Sequence, residues 1–327
     1  PFTHSIKYGA GFVTGLVDSD DLNLNISREI LQQDRQVKAL AVSIEKKIRT
    51  YLEDMMKNER PEYEKFFDNF GRELKYGIYK DFGTHKDILQ DLLLFRSSKE
   101  KKYVSLKEYT DAMPSDQKSI YYACGTSMEE IDKMPALEKL RDKKYDVLYF
   151  TDAIDEFAAQ IMQTYADKPF RSVSKGDLDL DSDAEKKQRE EKTEANKDLL
   201  AALGEDLKGK VKEVRISSRL KTQPVCLVSA EDGLSIEMEK VLSQMPQNRG
   251  IKATKILEIN PDHPIFATLQ NVAKDDPATL KEYADVLYDQ ALLIEGLPID
   301  DPVGYADRIV KLMVHADFDA LKKDQPA

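Results

Sequence analysis

Arg28 and Gln32 are the residues of this sequence whose types and spacing most suggest chemistry. They lie in Asp18-Ser-Asp-Asp-Leu-Asn-Leu-Asn-Ile-Ser-Arg-Glu-Ile-Leu-Gln-Gln33, where Ser27 can cap a helix that begins with Arg28 and Glu29. At i and i+4 the two side chains share one helical face near its N-terminus. A guanidinium and an amide projecting from a helix start suit an anion such as a terminal phosphate. An ordinary capped helix with an exposed Arg has the same spacing, so both readings stand.

A second candidate is weaker. Gly9-Ala-Gly11-Phe-Val-Thr-Gly15 resembles a relaxed dinucleotide fingerprint, which needs a strand before it and a helix opening inside it. The acidic turn Asp18-Ser-Asp-Asp21 follows instead, and its carboxylates would repel a pyrophosphate. No GxxxxGK[ST], GxSxG or paired Cys/His arrangement is present. Cys124 and Cys226 have no CxxC spacing, and His4, His85, His263 and His315 are scattered, so no metal site is expected. The residues by themselves favour a binding or assembly protein over an enzyme.

Composition narrows the partners. Lys and Arg number 49 against 60 Asp and Glu, a net charge of −11, the wrong sign for neutralising nucleic-acid phosphates. No apolar run approaches the ~18 residues that a membrane-spanning helix needs. Two isolated cysteines fit a reducing cytosol. The chain begins at Pro1 rather than Met, and is expected to be part of a longer protein.

The positioning elements follow from hydrophobic period. Residues 35–58 carry Val37, Leu40, Ala41, Ile44, Ile48, Tyr51, Leu52 and Met55 at helical steps. A second helix opens at Pro61 with Tyr63, Phe66, Phe67 and Phe70, and a third is expected through Ile88, Leu89, Leu92, Leu93 and Leu94. From about residue 104, short apolar runs alternate with helical ones, which predicts a mainly parallel sheet covered by helices. Residues 175–198 have almost nothing apolar and read as a charged linker or exposed helix. Beyond them, Val211–Leu220 and Pro224–Val228 look like two adjacent strands, Ser235–Met245 like an amphipathic helix, and three helices follow near 264–273, 278–295 and 302–316.

Three apolar stripes are candidate surfaces. Ile154, Phe157, Ala158, Ile161, Met162 and Tyr165 share one helical face, as do Leu234, Met238, Val241 and Leu242. Core packing and partner binding are both open for each. The terminal helices carry more apolar surface than one small core can absorb, with Leu287, Ala291 and Ile294 on one and Ile309, Leu312 and Met313 on the other. That surplus predicts a two-fold helical bundle between two chains.

The block Asp18–Gln33 resembles the DSxDLPLNxSREML/IQ signature of the ninety-kilodalton heat-shock chaperones. The likeness continues through Lys75–Lys86, Asp91–Glu100, Ser119-Ile-Tyr-Tyr-Ala, Leu148–Glu156 and Leu257-Glu-Ile-Asn-Pro-Asp-His-Pro264, in family order. It resembles the bacterial, HtpG-type branch. The resemblance implies a mixed α/β and α+β chain. A helical layer and a small αβα subdomain belong to a middle domain, and a mixed α+β C-terminal dimerisation domain ends in a helical bundle. The implied order is 1–34 closing a large middle subdomain, 35–98 a helical connector, 99–174 the small α/β subdomain, 175–198 the charged segment and 199–327 the dimerisation domain.

It also implies roles. Arg28 and Gln32 correspond to residues that reach the γ-phosphate of ATP, with Asn25 positioning the loop. ATP and Mg would be bound by an N-terminal ATPase domain with no counterpart here, so this chain alone is expected to be no enzyme. Glu156, Phe157 and Gln160, then Leu234, Met238, Val241 and Leu242, correspond to client-binding positions. The implied partners are a second copy of the chain and partly folded proteins, in the bacterial cytoplasm. The ending Ala320–Ala327 lacks MEEVD, so co-chaperones that dock on that tail are not expected. A nucleotide-binding α/β enzyme and a purely structural dimerisation module remain the alternatives.

Overall fold

Two long helices open the part of the chain that this computed structural model describes, residues 35–244 and 250–323. The first, Arg35–Asn58, buries Leu52. The second, Arg60–Lys80, places Pro61 in its first turn, where a missing N–H costs nothing. It buries Tyr63, Phe67, Gly71, Leu74 and Ile78 at helical steps. Gly71 is held by close approach, because a Cβ there would stand 2.7 Å from the Phe67 ring. The expected third helix is shorter than its periodicity suggested. Lys86–Leu89 is helical, Gln90–Leu92 tightens to a 3₁₀ turn, and Leu94 already begins a strand.

Six strands make a mixed sheet in the order β2-β1-β4-β3-β6-β5. They are β1 (Leu94–Ser97), β2 (Tyr103–Ser105), β3 (Ile120–Cys124), β4 (Leu148–Phe150), β5 (Thr164–Tyr165) and β6 (Lys168–Ser172). β1 runs antiparallel to both β2 and β4, and β5 antiparallel to β6. This corrects the mainly parallel expectation: links too short for a crossover join β1 to β2 and β5 to β6. Phe95 and Phe150 meet at 5.0 Å between ring centroids, and Tyr122 stacks on Phe150 at 4.4 Å.

A second, three-stranded sheet has the order β7-β9-β8, from β7 (Glu213–Ile216), β8 (Val225–Ser229) and β9 (Lys255–Ile259). β9 is parallel to β7 and antiparallel to β8. The two strands read as adjacent are therefore separated by a third. That third strand is fully buried, yet Lys255 and Glu258 interrupt its apolar pattern. Helices Lys197–Asp206, Pro264–Asp275 and Pro277–Ile294 contribute Leu203, Leu269, Leu280 and Leu287 to the core beside this sheet.

Glu258 explains how a charge can sit in that strand. Its carboxylate accepts from Arg215 Nη2 at 2.8 Å, Arg219 Nε at 2.9 Å and Ser217 Oγ at 2.7 Å. Burial pushes the Glu258 carboxyl up, but Arg219 and Arg215 outweigh it and hold it below the usual carboxylate range. Arg219, fully buried, also donates to the carbonyls of Val173 and Gly176.

The segment 175–198 is no detached linker. Leu178 and Leu180 are buried, Lys139 pairs with Asp181 and with Glu185 at 3.0 Å, and Asp183–Ala195 is a helix without a buried residue. Contacts divide the chain into two units. One reaches Tyr122 and takes Asp146–Phe170; the other comprises Ala123–Tyr145 and everything from Arg171. Among the described residues, no helix is long and apolar enough to cross a membrane.

Candidate functional site

In the first unit, one surface collects aromatic side chains that the core does not use. Tyr76 and Tyr79 project from the exposed side of helix Arg60–Lys80, and Phe82, just beyond it, is 85% exposed. Phe82 sits in the left-handed region at φ 54°, which a bulky side chain adopts only when its surroundings impose it. Those surroundings are ordered. Asp81 accepts from the Gly83 amide at 3.0 Å and meets His85 Nδ1 at 2.6 Å, while the Gly83 amide also donates to the Ile78 carbonyl. Helix Ala153–Met162 supplies the rest. Phe157, half-buried, meets Tyr79 edge-on with centroids 5.5 Å apart, and Gln160 is exposed.

Beneath that surface lies a buried cation. Lys75 Nζ is 2.6 Å from Asp155 and 3.0 Å from Asp152, and 5.4 Å from the ring centroids of Phe67 and Phe95. Desolvation pulls the ammonium down, but Asp155 and Asp152 outweigh it and hold Lys75 above the usual lysine range. The pair joins the two helices that carry the aromatic residues.

In the second unit, helix Ile236–Ser243 is capped by Ser235, whose hydroxyl accepts from the Met238 amide at 3.1 Å. Ile236 is buried and Leu234 packs against the core, while Met238, Val241 and Leu242 are half-buried. Glu239 accepts from the Ala253 amide at 2.7 Å and from Lys255 Nζ at 2.6 Å. The terminal helix, Pro302–Lys323, starts at Asp301, which accepts from the Gly304 amide at 2.9 Å. Val303, Val310, Met313 and Val314 of this helix are exposed, as is Leu293 of the preceding one. Among the described residues, no group of His, Cys, Asp or Glu is placed to hold a metal ion.

The family profile described as Hsp90 protein matches residues 8–326. The chain belongs to the Hsp90 family. It is 55% identical over 303 residues to the chaperone protein HtpG of Clostridium botulinum (strain Langeland). It is 54% identical over 303 residues to that of Bacillus subtilis (strain 168), and 56% identical over 302 residues to that of Clostridium acetobutylicum. These matches cover 92–93% of this chain but 48% of each relative, so the chain spans about half the length of the curated relatives it matches.

Against the Hsp90 positions expected from sequence, the structure sorts the residues unevenly. Arg28, Gln32, Asn25 and Gly9–Gly15 lie outside the described residues. Phe157 and Gln160 are at the aromatic surface, but Glu156 is a correction: it is buried, and its carboxylate receives the Tyr122 hydroxyl at 3.4 Å. On an amphipathic helix its position follows Asp155 inward. Leu287 and Ala291 are likewise corrected, from dimer contacts to core of their own unit, at 5% and 0% exposure. Leu312 is buried too, Ile294 and Ile309 are half-buried, and Met313 is 67% exposed. Missed from sequence were Tyr76, Tyr79 and Phe82. The available signal was their offset from the buried stripe of Tyr63, Phe67, Leu74 and Ile78.

Proposed function

We propose that this Hsp90-family chain is the client-binding, dimer-forming half of an ATP-dependent chaperone. The observation that carries the client reading is the exposed aromatic cluster of Tyr76, Tyr79 and Phe82 beside Phe157 and Gln160. Such a patch costs solubility unless it binds something, and its polar rims suit segments that are apolar but irregular. Met238, Val241 and Leu242 offer a second, adaptable surface on the other unit. Partly folded proteins fit both, since they expose apolar side chains without a fixed shape.

The dimer contact is assigned to the outward faces of the terminal helices: Leu293, Val303, Val310, Met313 and Val314, with Ile294, Ile309 and Leu312 at their margin. Two copies packing those faces would form a two-fold helical bundle. Arg28 and Gln32 keep the role that the family resemblance implies, contacting the γ-phosphate in the full-length protein. ATP and Mg would be bound within the part of the relatives' length that this chain does not span. The bacterial relatives support a cytoplasmic setting.

Suppression of aggregation of a thermally unfolding protein tests the client reading. Tyr79→Glu with Phe82→Glu should weaken suppression several-fold and leave the melting temperature nearly unchanged. Full suppression by that variant would overturn the assignment. No suppression by the parent chain would instead leave a structural dimerisation module.

A further inference from the structure

Helix Arg60–Lys80 ends in a paired closure. The Phe82 amide donates to the Tyr79 carbonyl at 3.2 Å, and the Gly83 amide to the Ile78 carbonyl at 3.0 Å. This closure turns the second residue past the helix into the left-handed region, where glycine is the usual occupant because a Cβ crowds the following carbonyl oxygen. The same pair of bonds closes two other helices. After Pro277–Ile294 the position is held by Gly296, at φ 68°, and after Glu138–Asp142 by the exposed Lys144, at φ 56°. After Arg60–Lys80 it is held by Phe82, at φ 54°. Among the described residues, the other non-glycine positions with left-handed backbone carry lysine, glutamine, alanine or aspartate, so Phe82 is the one bulky apolar residue in that region.

The turn itself makes no use of that ring. Asp81 braces it from both sides, through the Gly83 amide and His85 Nδ1, and the Thr84 hydroxyl donates to the Asp81 carbonyl at 2.7 Å. Gly83 differs from its neighbour. At φ 79° it lies so near helix Ala153–Met162 that a Cβ would stand 2.7 Å from Ile161 Cγ2. Glycine is therefore required at 83 by close approach, whereas at 82 the fold uses the backbone and leaves the side chain in water. At 85%, Phe82 is the most exposed large apolar side chain among the described residues. A position where glycine would sit with less strain thus carries the ring that the core uses least.

We propose that Phe82 is the principal anchor of the aromatic surface, a ring presented on a strained helix end and covered by an aliphatic or aromatic side chain of the bound segment. This deepens the client reading above and rests on it. Tyr76, Tyr79 and Phe157 are joined ring to ring, at 6.2 Å and 5.5 Å between centroids, so each already covers part of its neighbour. Phe82 keeps the most apolar area to bury when a segment arrives, and apolar area removed from water is the main source of attraction for such a segment. Its backbone is fixed beforehand by the closure and by Asp81, so little chain freedom is lost on binding. The strain at 82 is then the stability given up for a contact that exists only with a partner.

Single substitutions in the whole chain test it, read by thermal midpoint and by suppression of aggregation of a thermally unfolding protein below that midpoint. Phe82→Ala removes the ring and keeps a Cβ on the left-handed backbone; Phe82→Gly removes both. In each, the amount of chain needed for half-suppression should rise at least about fivefold. Phe82→Gly should nevertheless unfold about 2–4 °C above Phe82→Ala, and at or above the parent. A variant that is more stable and suppresses less cannot owe its loss to unfolding. Phe82→Tyr, which keeps the ring, should stay within about twofold of the parent. A midpoint for Phe82→Gly below that of the parent would show that the fold uses the ring and would overturn the anchor. Suppression by Phe82→Ala and Phe82→Gly within about twofold of the parent would also overturn it; if Tyr79→Glu with Phe82→Glu still weakened suppression, the client reading would survive that result. No suppression by the parent chain would remove both.

Discussion

The two units bury charge with different numbers of partners. In the first, Lys75 lies among Phe67 and Phe95 with two carboxylates, and the acid in direct contact, Asp155, is pushed up by burial more than Lys75 pulls it down. In the second, Glu258 has two arginines and is held down, while Glu295 close by has no hydrogen bond at all on Oε1. The difference is one of ligand count. A carboxylate that receives several charge-assisted hydrogen bonds stays ionised in the interior, whereas one with fewer partners binds its proton more tightly. The first unit thus ties its aromatic-bearing helices through a lysine–aspartate contact, and the second ties its central strand through two arginines.

Substitutions that remove one partner at a time sharpen this contrast. The largest effect is expected for Arg219→Met, which leaves Glu258 buried with Arg215 as its one guanidinium beside the Ser217 hydroxyl; it should cost about 3–5 kcal/mol in chemical denaturation. A loss under about 1 kcal/mol would mean that water reaches Glu258 and that the two units do not differ. Lys75→Met should cost less, about 2 kcal/mol at neutral pH, because burial already raises the Asp155 carboxyl above its ordinary value, so it can take up a proton once the ammonium is gone. Its pH dependence has a definite sign. Without Lys75, the folded-state affinity of Asp155 for a proton rises further above the unfolded value, so the variant should gain stability relative to the parent as pH falls towards 4. A constant difference across that range would break the assignment of the pair. The smallest effect on stability is expected for Met313→Asp, within about 0.5 kcal/mol, since the side chain is exposed. In sedimentation, however, it should weaken self-association by tenfold or more, and unchanged association would remove the terminal helix from the dimer contact.

The legibility of the site followed the periodicity. Helix Ala153–Met162 and its stripe of Phe157, Ala158 and Met162 were readable because one helix with one buried side sorts its residues every three or four positions, whereas Gln160 was named by the family resemblance alone. Glu156 was named by the family resemblance, which carries no burial, and Glu258 hid β9 because a carboxylate in sequence reads as surface and only a partner elsewhere makes it core. Tyr76, Tyr79 and Phe82 escaped notice because an aromatic residue in or beside a helix reads as core.

By itself the sequence determined most of the helices and the family, since these depend on local spacing and on blocks such as Asp18–Gln33 that need no partner to be read. Only the tertiary structure decided which apolar and charged side chains are covered. Leu287 and Met313 are both apolar helix residues, yet one is core and the other surface. Strand order behaved likewise, with β9 entering between β7 and β8 from a position later in the chain. Burial and pairing are properties of residues far apart in sequence, and a local pattern carries no record of the neighbour that will cover it.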